Sequence, residues 1–103
     1  MKPSDFLALA TLKRSTVEVG GQTIHVRELS VGERAKFMSF ADKNAALSPA
    51  FLVQTCVVNE DGSQVFSEAD AKAIADASPE VIDKVATVVM EISRMREEDT
   101  PNA

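Results

Sequence analysis

Residues 15–28 read STVEVGGQTIHVRE, and this stretch decides the fold. Two alternating runs rich in β-branched residues flank Gly20-Gly21. A glycine pair supplies the positive φ that a two-residue hairpin turn requires. Such a loop pairs Val19 with Gln22, Glu18 with Thr23, Val17 with Ile24 and Thr16 with His25. Ser15 then meets Val26, and Arg14 meets Arg27. In this register Val17, Val19, Ile24 and Val26 share one face. Thr16, Glu18, Thr23, His25 and Arg27 share the other. Turn chemistry and alternation therefore specify one register. An isolated hairpin is marginal, so its apolar face must lie on helices.

The helices are written on either side. Upstream, residues 4–12 (SDFLALATL) offer Ser4 as an N-cap, Asp5 in the first turn, and Phe6, Leu7 and Leu9. They predict a short helix or a docked arm within residues 1–14. Downstream, Ser30 and Glu33 form a capping box that opens a helix over 30–44. Its apolar stripe is Val31, Ala35, Met38 and Ala41, widened by Phe37 and Phe40; Arg34 and Lys36 suit the wet side. Ser48 and Pro49 open a second helix over 48–58, nearly all apolar and therefore buried, although Val53, Val57 and Val58 leave a strand possible. Asn59-Glu60-Asp61-Gly62 is a turn, and Gln64-Val65-Phe66 at most a short edge strand. Ser67 and Asp70 cap a helix over 67–76. Ser78, Pro79 and Glu80 start the last one, over 78–96. Its stripe is Val81, Val85, Val88, Ile92 and Met95, widened by Ile82 and Val89, with Arg94 and Arg96 in the final turn. Residues 97–103 (EEDTPNA) read as an acidic disordered tail.

The expected fold is mainly α with one β-hairpin (α+β): four to five short helices packed on an N-terminal two-stranded hairpin. Residues 1–96 form a single globular domain, which suits a chain of 103 residues.

Composition narrows the function. Net charge is −5, the wrong sign for a nucleic-acid or anionic-membrane binder. No apolar run approaches the roughly 18 residues of a membrane span, and the first residues do not read as a secretory signal. The charge is uneven: residues 1–44 carry +2 and residues 45–103 carry −7. One cysteine and one histidine cannot build a zinc site or an internal disulfide. Cys56 lies among valines, where a thiol is a small core hydrophobe rather than a nucleophile. His25 falls on the solvated face. Neither Gly20-Gly21 nor the acidic turn has the spacing of a phosphate or calcium loop. No catalytic set, metal site or cofactor is expected. Two surfaces remain as candidates for protein contacts. Lys13, Arg14 and Arg27 form a small basic patch, with two arginines facing each other, that would suit an acidic partner. Phe6, Leu7 and Leu9 would donate an apolar contact for self-association.

The order of elements then matters. A hairpin is followed by VRELSVGERAKFMSF, a buried helix, and VVNEDGSQVFSEADAKAIADASPEVIDKVATVVMEIS. This resembles the small tail assembly chaperones of long-tailed phages and prophages. The likeness rests on Val26-Arg27-Glu28-Leu29 leading into Ser30-Val31-Gly32-Glu33-Arg34, then on Asn59-Glu60-Asp61-Gly62, Val65-Phe66 and Ser67-Glu68-Ala69-Asp70 before a closing helix. It covers residues 15–96. The resemblance implies a mainly helical, non-enzymatic protein of the host bacterial cytoplasm. Its partners would be the tape measure protein, which it shields, and the tail tube protein. The competing expectation is a small adaptor or regulatory subunit that uses the same helices on another partner.

Overall fold

The computed structural model describes residues 1–94. The hairpin pairs strand β1 (Arg14–Val19) with β2 (Gln22–Arg27) in the register derived above, residue for residue. Gly20 and Gly21 both take positive φ, +56° and +79°. Val17 and Val26 are buried on the inner face, and Glu18 accepts a 2.6 Å hydrogen bond from the Thr23 hydroxyl on the outer one.

Among the described residues five α-helices accompany the hairpin: α1 (Pro3–Leu9), α2 (Val31–Lys43), α3 (Ser48–Cys56), α4 (Ala71–Ala75) and α5 (Pro79–Ile92). The α+β architecture is thus the expected one, with an addition. The helix predicted over 48–58 stops at Cys56, and Val57–Val58 form a third strand, β3, antiparallel to β2. Val57 pairs with Val26 and Val58 with His25. β2 would otherwise leave a row of backbone groups unpaired in the interior, and β-branched residues suit the extended state that satisfies them. β3 also leaves His25 half-buried rather than solvated.

The core lies between the inner face of the sheet and helices α2, α3 and α5. Val26, Leu52, Cys56 and Val89 are its most enclosed apolar members. Phe51 of α3 packs against Phe37 and Phe40 of α2 with tilted rings, the centroids 5.8 and 5.1 Å apart.

Several predicted faces turn. In α2 the buried residue is Phe37, flanked by half-buried Met38 and Ala41, while Val31 is 90% exposed and Ala35 is exposed as well. A phenylalanine removes far more apolar surface from water than a valine, so it sets the helix's rotation. Arg34 comes with it: its guanidinium donates to the Ser93 carbonyl instead of facing solvent. In α5 Val85 and Val89 are buried as predicted and Ala86 joins them, while Val81 lies at the surface. The helix ends at Ile92, and Arg94, at φ +54°, turns the chain just beyond it. Met95, Arg96 and the predicted tail 97–103 lie outside the described residues.

The caps differ in detail. The Ser30–Glu33 box forms as read. A 3-10 turn (Ala45–Leu47) runs into α3, so Ser48 is helical and donates to the Ala45 carbonyl instead of capping. Ser67 and Asp70 frame a second 3-10 turn (Glu68–Asp70) ahead of α4. α1 starts at Pro3 with Lys2 as its N-cap, so Ser4 lies inside the helix instead of capping it; Asp5 is in the first turn as read, and its carboxylate accepts the Lys2 N–H.

Candidate functional site

The three basic residues expected to form a patch start from adjacent positions but reach different acceptors. Arg14 and Arg27 do face each other across β1 and β2. Arg14 Nη2 donates to the carbonyls of Asn59 (3.0 Å) and Glu60 (2.9 Å), tying the hairpin to the acidic turn. Arg27 points the other way and binds Glu33 through both oxygens, at 2.7 and 2.8 Å, with a further bond to the Thr55 carbonyl. Each arginine has its own acceptors, which offsets the cost of placing like charges opposite each other. Lys13 is exposed, and its backbone N–H donates to Glu28.

Glu33 serves two functions at once. Its Oε1 accepts from the Ser30 N–H, completing the helix cap, and from Arg27. The Arg27 hydrogen bonds hold its carboxyl well below the usual range, at about 2. The same bonds raise the Arg27 pKa. The result is a brace between β2, α2 and the end of α3.

Cys56 is enclosed by this brace and the core. Burial pushes its thiol up to about 12, so it stays protonated and unreactive at neutral pH. Among the described residues no cluster of His, Cys, Asp or Glu could hold a metal ion. No described helix is long and apolar enough to cross a membrane.

The three apolar residues of the arm stand out. Phe6, Leu7 and Leu9 are 60, 64 and 78% exposed, and no residue of α1 is buried. The segment is therefore a helix, as one of the two expectations had it, but it is not docked on its own chain.

Sequence reasoning missed a second apolar surface. A groove of about 510 Å3 opens between β2, β3 and the start of α5. Ile24, Val57, Val65, Phe66, Val81 and Val85 line much of it, with His25 and Glu60 among its polar members. The sequence pattern places Val81 in the apolar stripe of α5 and Val65 in a short edge strand. The groove exists because β3 brings the 64–66 segment alongside the sheet, through the Val58–Gln64 bridge, and that pairing is not local in sequence. The fact that could have signalled it is the unusual number of valines assigned to so small a core.

No family model and no curated protein matches the sequence. Among solved structures, the chain is similar to the tail assembly chaperone of bacteriophage HK97. The two share 15% identity over 86% of this chain and 97% of that one, with a TM-score of 0.64. At that identity the likeness is one of fold, and the fold is the one that the resemblance read from the sequence implies: this chain is built like a phage tail assembly chaperone.

Proposed function

We propose that this protein is a phage tail assembly chaperone that binds and shields the tape measure protein and assists assembly of the tail tube. One observation carries the reading. A sequence resemblance over residues 15–96 and a fold match over 86% of the chain point independently to the same kind of protein. The surface supports action by binding. The described residues bring together no nucleophile and base, whereas apolar side chains are left at the surface on α1 and along the groove. The net charge of −5 disfavours nucleic acid as the partner. In this reading the protein acts in the host cytoplasm as one globular unit, copies of it self-associate, and the basic root of the hairpin at Lys13, Arg14 and Arg27 faces an acidic stretch of the partner.

Co-expression with the tape measure protein of the same phage tests the proposal. The expected result is a soluble complex that co-purifies, with the tape measure protein aggregating when expressed alone. Deleting the gene should leave heads without tails. A tape measure protein that stays soluble alone and does not co-purify would remove the proposal, and would favour an adaptor with another partner.

A further inference from the structure

The groove between β2, β3 and the start of α5 has an apolar floor and an acidic mouth. We propose that it holds a basic amphipathic helix of the protein that this chain shields. This rests on the reading of the chain as a chaperone for a protein partner, and it names the surface used and the chemistry of the segment bound.

The floor gives the contact its affinity. Val85 is buried at its base, Ile24, Phe66 and Ile82 are half-buried, and Val65 and Val81 stand 45 and 37% exposed at its edge. Covering apolar surface of this kind is favourable, and a concave space of about 510 Å3 suits inserted side chains better than flat apposition. The groove is also held in shape. Arg14 binds the carbonyls of Asn59 and Glu60, which fixes the turn at its mouth.

The backbone beside the groove decides the form of the occupant. His25 pairs with Val58, Val58 bridges to Gln64, and the Val65 N–H donates to the Val57 carbonyl. β3 is therefore paired on both sides and offers no free edge on which an extended segment could add. What the groove presents is side chains. An occupant must bring a backbone whose hydrogen bonds are already made, and a helix does so, with apolar residues at i, i+3 and i+4.

Charge selects among helices. Glu60 lines the groove, and Asp61 follows it in the same exposed turn. Glu80 and Asp83, both exposed, flank Val81 and Ile82 along α5. The nearby cations are engaged within the chain: Arg14 as above, and Lys84 on the Glu18 carbonyl at 2.8 Å. A helix with lysine or arginine beside its apolar face is attracted and oriented by this mouth, and an acidic helix is repelled.

A synthetic peptide of leucine and lysine in amphipathic helical spacing tests the groove, titrated into the full chain and followed by NMR. It should shift the amides of Ile24, Val65, Phe66 and Val81 as one cluster, and gain helical circular dichroism on binding. Val65→Lys with Val81→Lys sets charge on the apolar edge. Glu60→Lys with Asp83→Lys reverses the mouth and leaves the floor intact. Each pair should raise the peptide's Kd about tenfold or more, with melting close to the parent's. Added salt should weaken binding to the parent and have little effect on the charge-reversed variant. The same peptide with glutamate in place of lysine should not bind.

Binding that ignores both pairs of substitutions, that maps to another surface, or that leaves the peptide extended overturns the inference. So does a groove filled by a second copy, seen as peptide binding that weakens as the chain's own concentration rises and as self-association lost in the Val65→Lys/Val81→Lys variant. Capture of the tape measure protein reports the functional reading separately. If parent and both variants capture it equally, the function stands and the groove is overturned. If the peptide behaves as described but the parent captures no tape measure protein, the groove's preference stands and the functional reading falls.

Discussion

Arg27 on β2 and Glu33 on α2 form a two-pronged ion pair, Nη1–Oε1 2.7 Å and Nη2–Oε2 2.8 Å, at a half-buried junction of sheet and helices. The two residues are six apart in sequence. Their pairing sets the angle at which the chain leaves the hairpin and enters α2.

Glu33→Gln should keep most of the helix cap, since glutamine also serves in a capping box, and remove the charge. The wild-type carboxyl titrates at about 2 instead of its ordinary 4.5. A lowered folded-state pKa contributes stability that is present above the unfolded value and is lost as pH falls through the folded one. The substitution should therefore cost about 1–3 kcal/mol at pH 7, allowing for partial exposure. The difference between the two proteins should shrink from about pH 4.5 down to pH 2. Urea melts across that range check both the size and the slope.

Gly20→Val together with Gly21→Val should destabilise the fold by several kcal/mol, about 1–3 for each strained position. The cause is backbone conformation: a Cβ at either glycine would meet nothing within 4 Å, but φ is positive at both. Gly20→Asn with Gly21 retained should cost little, because asparagine tolerates this region. Thermal melts of the two variants should differ widely; equal melting points would count against the turn as the element that sets the hairpin.

Ser93→Ala should cost about 1–3 kcal/mol despite removing a single oxygen. The Ser93 hydroxyl oxygen is buried and accepts the Leu29 N–H at 3.0 Å, joining the end of α5 to the chain between β2 and α2. Alanine leaves that donor buried and unpaired. Ser93→Gly should be no better, which separates this loss from any effect of side-chain size; denaturant midpoints measure both.

Cys56 should react slowly with a thiol reagent in the native protein and at once in denaturant. It is fully enclosed, and its raised pKa keeps the thiolate population very small. The native labelling rate should follow the opening equilibrium, and so rise as stability falls across the variants above. Fast stoichiometric labelling of the folded chain would contradict the core position.

The sequence alone determined what local physics controls. The hairpin register follows from Gly20-Gly21 and the alternation on either side, because turn type and side-chain period act on neighbours. The Ser30–Glu33 and Ser67–Asp70 caps follow from hydrogen bonds that span three residues. Arg27 could be singled out in the sequence, but its acceptor could not. The tertiary structure decided everything that depends on who lies across the gap. Val57 and Val58 could have ended a helix; they became a strand because the edge of β2 offered backbone partners. Val31 and Phe37 could each have faced inward, and the larger ring prevailed while Val31 went to solvent. The groove comprises side chains from residue 23 to residue 85, so no window of sequence contains it. The arm's amphipathic face is plain in the sequence, but only the packed structure shows that its own core leaves no place for it.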